Sequence, residues 1–331
     1  MLARLQAVLV MTAVIAALLW SAWCWRQAVA PGWWLAGLVL ALAPHAPVLA
    51  LEFVLLGLLG QDAAVPRPSA GQLLHAWARE VRSGWCVFGW RQPFAAQAEA
   101  DVPGDPGHGG RTGVLLLHGF VCNRGLWAPW LRQFRALGVP CQAITLAPVF
   151  GSIDACLPQV EAAVQALARQ TGRPPLLVAH SMGGLVARAW LAAAGARLAG
   201  TAAGLGNGAG NGAGSGADGG RVAGVVTIAT PHHGTWLARF GSTRNARQMR
   251  QRSPWLLALA AREPAGHAAG FTCFYGNADN VVFPARTATL AGADNRLVPG
   301  VAHVDMVFAP AVLALVLQRL QAIDEAGQAP V

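Results

Sequence analysis

Three residue types spread along this chain could act together on a substrate: a serine, an acid and a histidine. Ser181 sits in Leu176-Leu177-Val178-Ala179-His180-Ser181-Met182-Gly183-Gly184-Leu185, where a short apolar run breaks at a serine flanked two positions away by small residues and a helical pattern follows at once. This reads as strand, sharp turn and helix, with Ser181 on the turn. Such a nucleophile elbow holds the hydroxyl free above a sheet, and its small neighbours let backbones approach. The leading position is Ala179, so the match is A-x-S-x-G rather than G-x-S-x-G. A serine hydroxyl is a poor nucleophile until a base takes its proton and an acid orients that base.

The elements that must position these groups follow from the periodicity. Gly113 to Phe120 is a continuous apolar strand ending at His118-Gly119, as suits a parallel strand covered on both faces. A helix over 126–137, a strand from Cys141 to Leu146, a helix from Ile153 to Thr171 and the elbow strand at 176 come next. After the elbow helix, order resumes with the strand Val222 to Ala229 and the loop Thr230-Pro231-His232-His233-Gly234-Thr235. The last strand is expected at Phe271 to Tyr275 and a final amphipathic helix at Pro310 to Ile323. Alternating strands and helices predict an α/β fold with a mostly parallel, doubly wound sheet and helices on both faces. Gly204 to Gly220 reads as a flexible insertion, and 236–265 carries apolar patches and a run of arginines.

In sheets that carry such an elbow, the partners follow in the order serine, acid, histidine, on loops past the strand ends. The histidine late enough is His303. Acids between it and Ser181 are Asp218, Glu263, Asp279 and Asp294. Asp218 falls in the glycine run and Glu263 in an Arg-rich helical stretch. Asp279 directly follows a clear strand and is preferred to Asp294, which reads as a turn residue. Two backbone N–H donors are needed for the oxyanion, and Met182 and Phe120 stand where they belong. Gly119 and Gly183 permit close approach, and His118 anchors the loop by a hydrogen bond; His180 reads as a packing residue.

Composition adds a location. Of 331 residues 54% are hydrophobic and 12% charged, the formal net charge is +9, and all 24 basic residues are Arg. Leu5 to Trp25 holds no charged residue and is long enough to span a bilayer, and Trp33 to Leu59 is a second apolar stretch interrupted by Pro44, His45, Pro47 and Glu52. Residues 1–62 are therefore read as a transmembrane hairpin with Trp20, Trp23, Trp25, Trp33 and Trp34 at its turn. A re-entrant second segment, or a signal peptide cut after Ala28-Val29-Ala30, are the competing readings. Glu52 is the costly residue, to be placed at an interface, protonated or facing the first helix. If both segments span, the Arg distribution puts both ends and the main domain in the cytoplasm; if only the first spans, the main domain lies on the opposite face. Residues 63–111 are a connection: an N-capped helix over 69–83, a strand from Trp85 to Phe94 and a Gly/Pro-rich loop from Gln97 to Thr112. The main unit is 112–331. No nucleic-acid-binding motif accompanies the basic charge, and six scattered Cys without C-x-x-C spacing point to thiols rather than a metal or redox centre.

With these residues quoted, the chain resembles bacterial triacylglycerol lipases and esterases of the α/β-hydrolase fold. The resemblance covers roughly 112–310 and rests on His118-Gly119-Phe120, Ala179-His180-Ser181-Met182-Gly183-Gly184, Thr230 to Thr235, Asp279 and His303-Val304-Asp305. It implies Ser181 as nucleophile, His303 as base, Asp279 as orienting acid, 236–265 as a cap, and an acyl ester or lipid as substrate. The hairpin and the glycine run lie outside that family's usual pattern; the two apolar stretches, with the bacterial likeness, give the expectation of a multi-pass protein of a bacterial inner membrane. No cofactor is needed for such chemistry, although some relatives bind a structural Ca²⁺ through an Asp two residues after the catalytic His, and Asp305 occupies that position. Acyl transfer, amide cleavage and a non-catalytic scaffold are the alternatives, and nothing in the sequence sets the oligomeric state.

Overall fold

The computed structural model describes residues 1–60, 62–104, 110–202 and 221–326. The glycine run expected at 204–220 lies outside the described residues. Strands β1 (Val114–Leu117), β2 (Cys141–Ile144), β3 (Leu176–His180), β4 (Gly224–Ile228), β5 (Phe271–Tyr275) and β6 (Asp294–Leu297) form one sheet in the order β2-β1-β3-β4-β5-β6. Every neighbouring pair is parallel. β6 corrects the expectation that β5 is last and that Asp294 lies in a turn. Its sequence, Asp-Asn-Arg-Leu, carries no strand pattern, because it is a half-exposed edge with one buried neighbour.

The chain starts with helices α1 (Leu2–Arg26), α2 (Pro31–Leu42), α3 (His45–Leu59) and α4 (Ala70–Gly84), the last running into a π-helical turn (Trp85–Arg91) and α5 (Gln92–Phe94). In the unit that carries the sheet α6 (Ala128–Ala136), α7 (Leu157–Thr171), α8 (Met182–Ala202), α9 (Arg244–Gln248), α10 (Pro254–Arg262) and α11 (Pro310–Ala326) follow. Alternate strand residues feed opposite faces of the sheet. Leu115, Leu117, Leu177 and Ala179 pack with Leu167 of α7 and Leu185 and Trp190 of α8. Val114, Leu116, Leu176 and Val178 pack with Trp130 and Phe134 of α6 and Val312, Val316 and Leu320 of α11. Each fully buried leucine contributes about 1.5–3 kcal/mol relative to exposure.

Two expectations for the first hundred residues need correction. Trp85 to Phe94 is helical, not a strand. Its aromatic and β-branched content favours a strand in isolation, but it continues α4 and packs against α1, with buried Gln92 accepting from Gln6 Nε2 at 2.9 Å. The second apolar stretch is not one straight span either, since α2 and α3 meet at 78°. Pro44 lies at the break and has no N–H to continue a helix. Among the described residues one helix, α1, is by itself long and apolar enough to cross a membrane, so two straight spans do not form. Its face bearing Val8, Leu9, Ile15, Leu18 and Leu19 is exposed. At the α1–α2 turn Trp20 stacks on Trp23 at 5.2 Å and Trp34 Nε1 donates to Ser21 Oγ at 3.1 Å.

α3 and α4 lean on the loops that leave the C-terminal ends of β5 and β6. Phe53 and Leu56 of α3 and Ala76 of α4 share a cluster with Ala278, Phe283 and Ala302. α4 starts at Ser69, whose Oγ accepts from Gln72 N at 3.2 Å while Gln72 Oε1 accepts from Ser69 N at 2.8 Å. This reciprocal cap satisfies two otherwise free donors and fixes where α4 begins.

Candidate active site

The parallel register sets Leu117 beside Ala179, and His180 beside Ile228. The C-terminal ends of β1, β3, β4 and β5 therefore open on one edge, and the loops leaving them carry 118–120, Ser181, 230–235 and Asp279. Ser181 adopts φ +53°, a left-handed conformation costly for a residue with a Cβ. The turn survives because Ser181 N donates to Ile228 O at 2.9 Å and the chain enters α8 directly. Small neighbours are a steric requirement. A Cβ on Gly119 would stand 2.8 Å from Ser181 Cβ, and one on Gly184 would stand 2.2 Å from Thr230 Oγ1. At Gly183 it would meet the Leu117 and His118 carbonyls at 2.7 Å.

Ser181, His303 and Asp279 are brought together. His303 Nε2 lies 3.0 Å from Ser181 Oγ, and His303 Nδ1 lies 3.0 and 3.1 Å from the two Asp279 oxygens. Asp279 is buried and its Oδ1 also accepts from Val281 N at 2.9 Å and Val282 N at 2.8 Å. These amides fix the carboxylate, which in turn assigns the proton of a neutral His303 to Nδ1 and leaves Nε2 as acceptor toward Ser181. Burial alone would push the His303 pKa down; the Asp279 charge and hydrogen bond, with Glu80 and Glu52, outweigh it and hold it above the ordinary histidine value.

The neighbouring histidines have different environments. His118 Nδ1 donates to Gly119 O at 2.8 Å and Nε2 accepts from Leu146 N at 2.9 Å. Burial lowers its pKa to about 4, so the neutral ring ties the β1 loop to the end of β2. His180 Nε2 lies 3.3 Å from His303 O and its ring 4.8 Å from the His303 ring. Burial, then the nearby His303, hold its pKa well below the ordinary value. Phe120 meets Phe150 edge-on at 6.0 Å, and Asn245 of α9 donates to Val149 O at 2.7 Å. Buried Arg188 of α8 makes two bonds to Glu263, at 2.7 and 2.6 Å, which ties the elbow helix to the segment after α10.

Asp294 is elsewhere, paired with Arg296 at 2.7 Å and Arg319 at 3.3 Å, which lower its pKa. Asp305 does not fit a calcium ligand. Its Oδ2 accepts from Arg79 Nε at 2.7 Å, and its Oδ1 from Arg79 Nη2 at 3.2 Å and Ser83 Oγ at 3.0 Å. A protein cation already faces both oxygens. Ca²⁺ needs six to eight oxygen ligands, and among the described residues no group of three His, Cys, Asp or Glu side chains is placed to hold a metal.

Sequence reasoning missed Glu80, Asn280 and Glu52. Glu80 is buried and accepts from the backbone N–H of Val304 and Asp305. Glu52, the acid of the second apolar stretch, accepts through its Oε2 from Asn280 Nδ2 at 2.6 Å. The sequence signals were an acid amid the arginines of α4, an amide directly after Asp279 and the lone acid of the second apolar stretch, whose tie to the site the sequence does not show.

Residues 114–330 match the model of the alpha/beta hydrolase family, and the chain belongs to that family. Among solved structures it is similar to Bacillus licheniformis lipase BlEst2 in mature form, at 15% identity and TM-score 0.51, over 66% of this chain and 94% of that one. It is also similar to Aspergillus fumigatus lipase B, at 17% identity and TM-score 0.50, over 69% of this chain and 57% of the other. At these identities the likeness is one of fold. No curated protein sequence matches the chain.

Proposed function

We propose that this hydrolase is a membrane-anchored serine ester hydrolase acting on acyl esters, lipids among them, through an acyl-enzyme. The observation that carries the reading is the hydrogen-bonded chain from Ser181 Oγ through His303 to Asp279, seated on a strained elbow. In the proposed reaction His303 Nε2 takes the Ser181 proton as Oγ attacks the ester carbonyl, and Asp279 stabilises the imidazolium. The Phe120 and Met182 backbone N–H groups receive the oxyanion. His303 then protonates the leaving alcohol, and a water deprotonated by His303 releases the acid and restores Ser181. The exposed apolar face of α1 supports anchoring, and the aromatic pair Phe120 and Phe150 beside the elbow supports an acyl chain as substrate. Hydrolysis of p-nitrophenyl esters of graded chain length, with Ser181→Ala as control, tests the reading; no turnover at any length, or equal turnover by Ser181→Ala, would defeat it. Retention in the membrane pellet after an alkaline carbonate wash tests the anchor, and release into the supernatant would remove it.

A further inference from the structure

Three successive amides of the His303 loop are each held by a side chain. His303 N donates to Asn280 Oδ1 at 3.3 Å, Val304 N to Glu80 Oε1 at 2.9 Å and Asp305 N to Glu80 Oε2 at 2.9 Å. Asn280 in turn is held by Glu52. The Asp305 side chain is gripped by Arg79 and Ser83. Four of these residues, Glu52, Arg79, Glu80 and Ser83, precede the stretch that matches the family. A carboxyl is unfavourable to bury unless its oxygens are bonded, and Glu80 spends them on the main chain that carries His303.

We propose that Glu80 is a positioning residue for His303, clamping its loop from a helix outside the matched hydrolase region while Arg79 and Ser83 fix the same loop through Asp305. The proposal rests on the reading of Ser181 and His303 as nucleophile and base. It makes the N-terminal helices part of the active-site scaffold as well as an anchor. A shift of the loop by about an ångström would displace Nε2 from Ser181 Oγ, and misplacement on that scale costs about a hundredfold in rate.

The test uses the full chain and a p-nitrophenyl ester. Glu80→Gln keeps the size but sets an NH2 group against an amide donor. It is expected to lower kcat by about ten- to a hundredfold with KM nearly unchanged, and to add no further loss to the residual activity of His303→Ala. Non-additivity of this kind is not produced by mere loss of folded protein. Wild-type kcat in Glu80→Gln, or an equal loss in both backgrounds, overturns the proposal. Should Glu80→Gln fail to fold by circular dichroism, Arg79→Met and Ser83→Ala loosen the loop from its other side, and lowered kcat in these supports the clamp while wild-type kcat in both overturns it. A wild type with no Ser181-dependent turnover removes the underlying reading and the clamp with it; an active wild type beside an unaffected Glu80→Gln removes the clamp alone.

Discussion

Replacing Asp279 by Asn changes no volume but reverses a proton. Val281 N and Val282 N both donate to Asp279 Oδ1, at 2.9 and 2.8 Å, and in the variant they require the amide oxygen at that position. The amide nitrogen is then left where Oδ2 stood, 3.1 Å from His303 Nδ1. As a donor it favours an accepting Nδ1, against the amide oxygen that stays 3.0 Å from the same atom; the ring proton then shifts toward Nε2, which in that tautomer cannot take the proton of Ser181. Loss of the general base together with the stabilised imidazolium is worth about 10⁴ in kcat, or about 5 kcal/mol of barrier. The assay is kcat on a p-nitrophenyl ester for wild type, Asp279→Asn and Asp294→Asn, with melting curves to verify folding. Asp294 bonds Arg296 and Arg319 at the edge strand, so its variant should keep wild-type turnover. A loss below tenfold in folded Asp279→Asn, or a larger loss in Asp294→Asn, would refute the reasoning.

Other outcomes follow from the same geometry. Because His303 must be neutral to act as base and its pKa is held above the ordinary value near 6.5, kcat/KM should fall with acidification through a midpoint above that value; a midpoint below it in a pH–rate profile would contradict the site's electrostatics. Gly119→Ala would bring a Cβ to 2.8 Å from Ser181 Cβ, so activity is expected to drop by about a hundredfold at a stability cost of about 1–3 kcal/mol, both read on one preparation. With Arg79 on Asp305, millimolar Ca²⁺ and EDTA should give the same Tm; a specific site at a hundred times its Kd would add about 2.7 kcal/mol and raise it visibly.

The alternation of apolar strands and amphipathic helices was legible because parallel strands covered on both faces leave continuous apolar runs, as in Leu115 to Leu117 and Leu176 to Ala179. The edge strand β6 was not, since Asp294, Asn295 and Arg296 have solvent on one side and need no apolar pattern. Trp85 to Phe94 misled for the opposite reason: aromatic residues suited to a strand were recruited as helix by a partner, α1, some seventy residues earlier in the chain. The proximity of Ser181, Asp279 and His303 could be inferred from chain order and strand ends. Glu80, Arg79 and Glu52 could not, since nothing local in α3 or α4 indicates that the first two reach the His303 loop and the third Asn280, each more than two hundred residues away.

The most direct measurement is covalent. Treating the purified full-length protein with a fluorophosphonate and locating the adduct by mass spectrometry should place one label on Ser181, absent from Ser181→Ala and slowed in Asp279→Asn. No label on the folded wild type, or equal labelling of Ser181→Ala, would contradict an activated serine at this elbow.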